Sequence, residues 1–208
     1  AMSQKMATTF FYGDEKVNPA GFTGLSAFYY SKANQSDLYA DQIIDAGGTG
    51  NNLTSLWIMT FSDDTLYGIH PEAMPAGYKY EDMGRVEMRD ADGGILYGFR
   101  SKYNWDMGLA LRDPRYVVRM ANIDTTQVDN STFIRKMIEA YNQIHNPDHG
   151  TTVIMCNRKV QTYLSILAAE KANVNLRIDE FAGKKIEHFW TSPILRCDAI
   201  LNTESQLV

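Results

Sequence analysis

The chain has 208 residues, of which 44% are hydrophobic, 22% charged and 12% aromatic, with a formal net charge of -5. That length suits one domain or two small ones with a shared boundary, and the apolar and aromatic content excludes disorder of the whole chain. The mild acidity argues against a dedicated nucleic-acid binder, which carries a basic field.

Met2, Met6 and Phe10 fall at helical spacing, followed by Phe11, Tyr12 and "GDEKVNPAG". This predicts the last turns of a helix stopped at Gly13 and a Pro/Gly turn. A helix that opens at residue 2 with no capping residue reads as cut, and Ala1 ahead of Met2 reads as a cloning scar or the interior of a longer protein. "GFTGLSAFYY" is a short apolar segment and "SKANQSDLYADQ" a polar connector. The glycine-rich loop "DAGGTGNN" tests as a phosphate cradle and fails. After Gly47, Gly48 and Gly50 no Lys-Ser/Thr follows, and the next predicted element is a strand instead of a helix. The loop reads as punctuation of a sheet.

From residue 53 to 122 the pattern is strand after strand. "LTSLWIMTF" and "TLYGIH" flank a Ser62-Asp63-Asp64 turn, and "GRVEMRD" and "GILYGFRSKYN" flank Ala91-Asp92-Gly93, a hairpin signal. "MGLALRDPRYVVRMANI" is strand-like, with Pro114 suited to an edge or bend. In "DNSTFIRKMIEAYNQIH", Phe133, Ile134, Met137, Ile138, Tyr141 and Ile144 share one helical face, with Asp129, Asn130 and Ser131 as candidate N-caps. A buried strand "TTVIMC" follows. A second helix, "RKVQTYLSILAAEKAN", carries Val160, Tyr163, Leu164, Leu167 and Ala168 on one side. The tail "GKKIEHFWTSPILRCDAILN" is strand-like. The fold class is therefore α+β, with a β-rich part over 1–124 and an α+β part over 125–208.

Nothing in the pattern selects a catalytic residue, a cofactor or a metal. Cys156 and Cys197 sit in apolar runs and read as reduced, buried thiols. His145 and His149 flank a Pro-Asp turn instead of sharing one helical face, so with Asp148 they offer at most a casual metal site; His70 reads as a loop residue and His188 as a sheet position. Asp63, Asp64, Asp90, Asp92, Asp124 and Asp129 fall in turns and caps, where Asp serves the backbone. "DADGG" matches part of a calcium loop without its Glu or flanking helices. The opening residues do not read as a signal peptide and no apolar run approaches the roughly 20 residues of a membrane span, so the sequons at Asn34, Asn52 and Asn130 have no expected role. Trp57, Trp105 and Trp190, with the many Tyr and Phe residues, read first as core and second as subunit contact. Arg100, Lys102, Arg112 and Arg115 form a candidate nucleic-acid face. The alternative is a polar strand face whose charges pair with Asp106 and Asp113 or across a subunit boundary.

Four passages carry a resemblance: "AMSQKMATTFFYGD", "NPAGFTGL", "QIIDAGGTGNNLTSLWIMTF" and "DADGG…YGFRSKYNWDMGLALRDPRYVVRMANID". Together they resemble the major capsid proteins of tailed double-stranded DNA bacteriophages, particularly those of short-tailed phages and prophages. The resemblance covers most of residues 1–124, and 125–208 follows it through its helix–strand–helix order. It implies the Hong Kong ninety-seven-type capsid fold, with no catalytic residue, and a subunit that assembles into hexamers and pentamers of an icosahedral shell around DNA. It also implies a C-terminal fragment, with the N-terminal arm, the extended loop and most of the spine helix ahead of residue 1. Residues 1–124 would hold the end of the spine helix and part of the peripheral domain, and 125–208 part of the axial domain. By itself such a fragment is expected to be a monomer or small oligomer. "WDMGLALRDPRYVVRMANI" resembles the long peripheral strand that closes the archetype's chain, yet here it precedes the α+β part, so the element order departs from the archetype. Expected partners are other copies of the chain, scaffolding, portal and decoration proteins, and weak contact with packaged DNA. The expected location is the virion, with host cytoplasm during assembly. The alternatives are a β-rich hydrolase with an unrecognised site and a capsid-derived shell that encloses cargo enzymes.

Overall fold

The structure, a computed structural model, describes residues 2–19, 21–33, 36–126, 130–169, 176–181 and 184–208. By contacts the chain divides into two units, one of residues 3–67 and 109–208, the other of residues 68–108.

The larger unit is built on a mixed sheet. Its main path runs β1 (Ile43–Asp45), β7 (Val117–Ile123), β2 (Thr54–Phe61), β8 (Thr151–Cys156), β11 (Ser192–Arg196), β10 (Lys184–Phe189) and β9 (Leu176–Phe181). β2 runs antiparallel to both β7 and β8, with Ile58 opposite Val118 and Ile154. β1 pairs with β7, and β11 with β8, in parallel. The second parallel pair needs a crossover, and helix α5 (Arg158–Ala169) supplies it.

Both faces of this sheet are covered, which explains why "LTSLWIMTF" reads as a continuous apolar run instead of an alternation. Leu56 and Ile58 of β2, Val118 and Met120 of β7 and Ile154 and Cys156 of β8 share one core with α4 (Asn130–Asn142) and α5. The intervening Trp57 and Met59, with Val117 and Ala121, form a second core with Phe11 of α1 (Met2–Tyr12) and Leu25 of the one-turn helix α2 (Leu25–Phe28); α3 (Asp37–Ala40) is another single turn. Polar residues in these strands find partners. Thr54 donates to the Leu201 carbonyl at 2.7 Å, and the Thr60 and Thr152 hydroxyls meet at 2.7 Å.

The helical faces agree with the expected periodicity. Phe133, Ile134, Met137 and Tyr141 of α4 are buried, as are Val160, Leu164 and Leu167 of α5, with Ile138, Tyr163 and Ala168 packed beside them. Asn157 caps α5 by accepting the Val160 N–H at 2.9 Å. Asp129, a candidate cap of α4, and the last residues expected in α5, 170–173, lie outside the described residues, as does Asn34. The helix stop at Gly13 is present: its N–H bonds to the Thr9 carbonyl at 2.8 Å, and a Cβ there would sit 2.2 Å from the Phe22 carbonyl oxygen. Only glycine admits so close a chain crossing.

Two expectations need correction, the strand run through Pro114 and the tail. "MGLALRDPRYVVRMANI" is not one strand: β6 (Gly108–Leu111) and β7 are separated by a 3-10 turn, Pro114–Tyr116, capped by Asp113 accepting the Arg115 N–H at 3.0 Å. β2 and β3 (Leu66–Ile69) flank the expected turn, where the Thr65 N–H bonds to the Ser62 carbonyl at 3.1 Å; they share the single parallel pair Phe61–Leu66, and β3 pairs with β6. The tail turns sharply at Trp190, whose φ is +53°, so β10 and β11 form a two-residue hairpin with Phe189 opposite Ser192. β2 and β7 precede residue 124, and β8 and β11 of the same sheet follow it.

The smaller unit contains one long antiparallel ribbon, β4 (Lys79–Arg89) with β5 (Ile95–Asn104). The expected hairpin turn closes it: Asp90 N–H bonds to the Gly94 carbonyl at 2.9 Å, and Gly93 takes φ +82°. A bulge between Asp82 and Arg85, with Gly84 at φ +65°, shifts the register.

The two units make opposite demands on apolar side chains, and a pair of variants checks this. Leu56→Ala, at a fully buried position, is expected to lower unfolding free energy by about 2–5 kcal/mol. Ile95→Ala, on the exposed ribbon, is expected to change it by less than about 0.5 kcal/mol. Urea unfolding of both proteins measures the difference.

Candidate functional site

The residues weighed as chemistry do not converge. His145 and His149 are exposed and pack around the Tyr116 ring, with centroids 5.9 and 5.5 Å away. Among the described residues no group of three His, Cys, Asp or Glu side chains is placed to hold a metal ion, so the casual site with Asp148 is not formed. His70 is exposed, with Nδ1 3.1 Å from the carbonyls of Pro71 and Met74, and His188 lies in β10 opposite Pro193 and Arg177. The glycine-rich loop spends its donors on the protein itself: Gly47 N–H on Asp45 Oδ1 at 2.8 Å and Gly48 N–H on the Asn122 carbonyl at 2.9 Å. Cys156 is buried, and burial first, then Glu187 and Cys197, pushes its thiol up to about 12. Cys197, just beyond β11, is half-buried.

A concavity of about 290 Å³ is lined by Lys32, Asp45, Asn122 and Gln206, but Asp45 Oδ1 already accepts from Gly47 and from Asn122 Nδ2. Another of about 560 Å³, beside the base of the ribbon, is lined by Tyr78, Lys79, Glu81 and Lys102 among others. Neither joins a nucleophile to a base.

The strongest polar constellation was invisible in the sequence, because it joins Arg119 to a residue 85 positions away. Arg119, in β7, is 5% exposed. Its Nε donates to Ser55 Oγ at 3.0 Å, Nη1 to the Tyr29 carbonyl at 2.7 Å and Nη2 to Glu204 Oε2 at 3.0 Å. The guanidinium stands 5.1 Å from the Trp57 ring centroid. Glu204 also accepts from the hydroxyls of Ser55 and Tyr12, and Tyr12 accepts the Leu201 N–H at 3.1 Å. Burial, and next the Glu204 carboxylate, hold the Tyr12 hydroxyl protonated far above the usual phenol range. Leu53 and Glu204 exchange backbone bonds of 3.2 and 2.9 Å. A charged pair so enclosed and so fully bonded is a tie between α1, the sheet and the C-terminal segment, not a site open to substrate.

The charges singled out beforehand behave differently from one another. Arg115 pairs with Asp113 at 2.7 Å, and that bond draws the Asp113 carboxyl below its ordinary range. Arg112 instead reaches Asp64 at 3.4 Å and stacks on Tyr67, while Asp106 accepts from Asn104 at 2.6 Å. Among the described residues Arg100 and Lys102 form no ion pair within the chain.

Among its charged residues the ribbon exposes a run of aromatic and aliphatic side chains. Tyr80 and Tyr103 pack on each other at 5.1 Å, yet both are about half exposed; Ile95 and Tyr97 are more so, and Phe99 is 85% exposed. Isolated exposed apolar residues are ordinary, but a continuous row marks an interaction surface. The second role expected for the aromatic residues, subunit contact, fits this unit. The first, core, fits Trp57 and Phe11.

A family model for Major capsid protein GP7 matches residues 1–208. The chain belongs to that family. A search of curated proteins found no match. Membership makes the chain a structural capsid subunit of a bacteriophage, not an enzyme, so the hydrolase alternative is set aside. It also implies self-association into capsomers and a place in the virion. Among the described residues no helix is long and apolar enough to cross a membrane.

Two measurements probe these assignments. Glu204→Ala leaves Arg119 buried without a counter-charge and is expected to cost about 3–5 kcal/mol, whereas the apolar pair Arg119→Met with Glu204→Leu is expected to regain most of the loss. Denaturant unfolding of the three proteins checks both halves. A thiol reagent at pH 8 is expected to spare Cys156 in the folded capsid protein and to react with it only after unfolding, as counted by absorbance.

Proposed function

We propose that the chain is the major head subunit of a Hong Kong ninety-seven-type shell, assembling as hexamers and pentamers into an icosahedral container for double-stranded DNA. The family match over the full 208 residues carries this reading. The exposed aromatic ribbon supports it, since a surface of that kind gains from burial against a neighbour. Residues 1–124 supply the end of the spine helix and part of the peripheral domain, and 125–208 part of the axial domain, the two sharing one sheet through β2, β7, β8 and β11. Each interface need be only modestly stable, because a subunit held at several contacts at once is retained by multivalency.

The net charge of -5 suits a wall that holds DNA without gripping it, because phosphate affinity scales with the Lys and Arg that neutralise it. Scaffolding, portal and decoration proteins are the further partners of such a shell, and host cytoplasm is where it assembles.

Negative-stain microscopy of the purified gene product tests the reading. Closed shells or capsomer rings of uniform diameter are expected. Dispersed particles alone, even with the other head proteins of the same phage co-expressed, would overturn it.

A further inference from the structure

A two-stranded ribbon by itself is marginally stable in water, and β4–β5 presents a row of apolar side chains with nothing in its own unit covering them. Register decides which residues share that face. Directly opposed residues of an antiparallel pair point the same way, and the bulge at Asp82–Arg85 keeps Asp82 and Arg85 in phase although they are three apart. One face therefore carries the rungs Tyr80–Tyr103, Asp82–Ser101, Arg85–Phe99, Glu87–Tyr97 and Arg89–Ile95. The Arg85 guanidinium, 4.8 Å from the Tyr97 ring centroid, agrees with this placement. The other face holds Met88 over Gly98, where a Cβ would lie 2.4 Å from Met88 Cε.

The face is thus two parallel rails. The β5 rail carries Ile95, Tyr97 and Phe99, then Ser101 and Tyr103, so it is apolar or aromatic except at Ser101. The β4 rail opens with Tyr80 and from there alternates in sign: Asp82 negative, Arg85 positive, Glu87 negative, Arg89 positive. All four are exposed, and among the described residues none forms an ion pair within the chain.

A charge order of minus, plus, minus, plus becomes its own complement when reversed. From this we infer that the ribbon is an isologous contact, two copies of this chain packing their ribbons face to face and antiparallel. The two-fold axis crosses the strands between the Arg85–Phe99 and Glu87–Tyr97 rungs. Rotation about it sets Arg85 against the partner's Glu87 and Asp82 against the partner's Arg89. The same rotation sets Tyr97 against the partner's Phe99, so aromatic surface meets aromatic surface. A same-direction overlay of β4 on β4 would instead stack Arg on Arg and Asp on Asp, which is repulsive. The occupant is therefore a second copy. The inference rests on the shell reading for its setting, and it names the contact as one made across a two-fold between subunits.

Charge-swap variants of the full gene product test it, with association followed by sedimentation and shell formation by microscopy. Arg85→Glu and Glu87→Arg each create two like-charge contacts by symmetry, and each alone is expected to weaken association roughly tenfold to a hundredfold. Mixing the two singly changed proteins is expected to restore it, because each supplies the charge the other now needs, and the double swap Arg85→Glu with Glu87→Arg is expected to restore it within one chain. Single variants that associate normally would overturn the inference. So would single defects that neither mixing nor the double swap repairs, an outcome that assigns the ribbon to a different surface of the neighbour or to an accessory head protein. Circular dichroism checks that all variants fold. Shells indifferent to the swaps would keep the shell reading and sink this one, and charge-complementary dimers without shells would do the reverse.

Discussion

Covering both faces of one sheet is the constraint from which most of this structure follows. β2 and β7 lie inside the sheet with helices on one side and α1, α2 and the C-terminal segment on the other, so every side chain along them must be apolar or fully hydrogen-bonded. Trp57 and Met59 go one way and Leu56 and Ile58 the other. The polar residues that remain, Thr54, Ser55, Thr60, Arg119 and Asn122, each have a partner close by, while the buried Trp57 indole N–H has none among the described residues. Arg119 is the extreme case. A guanidinium in such a place demands a carboxylate and several acceptors, and these come from Glu204, Ser55 and Tyr29. The C-terminal segment is held on the sheet by the same necessity, and Asn122, at φ +58°, secures it again through two bonds to the Leu207 backbone.

The ribbon obeys the opposite rule. Within its own unit it has no second layer, its aromatic residues are exposed, and the bulge at Gly84 keeps Arg85 and Glu87 on the face that carries Phe99 and Tyr97. A subunit made of a doubly covered sheet and an uncovered ribbon is divided between what folds it and what joins it to others. That division fits a protein whose work is to be a building element.

Helices α4 and α5 were legible because an amphipathic face is a local property: Phe133, Met137 and Tyr141, or Val160, Leu164 and Leu167, are spaced by the helical repeat whatever they pack against. The ribbon and its Asp-Gly turn were legible for a similar reason, since turn chemistry acts over a few residues. The alternative pairing for the arginines proved correct for Arg115 because Asp113 is two residues away. It failed for Arg112, whose partner Asp64 is brought by the fold from 48 residues upstream. "MGLALRDPRYVVRMANI" looked continuous because strand propensity does not register that a cap at Asp113 and the fixed φ of Pro114 can turn the chain between two apolar runs.

By itself the sequence determined the element types, the helical faces, the helix stop at Gly13, and enough characteristic wording to place the chain among phage capsid proteins. Those are matters of local spacing and of residue identity along the chain. Only the tertiary structure decided the strand order, the burial of Arg119 against Glu204, and which aromatic residues became core and which stayed exposed. The physical reason is that a Tyr or Trp carries no mark of the layer that will cover it. Trp57 is buried because α1 and α2 lie over it, and Phe99 is bare because nothing in its own unit does.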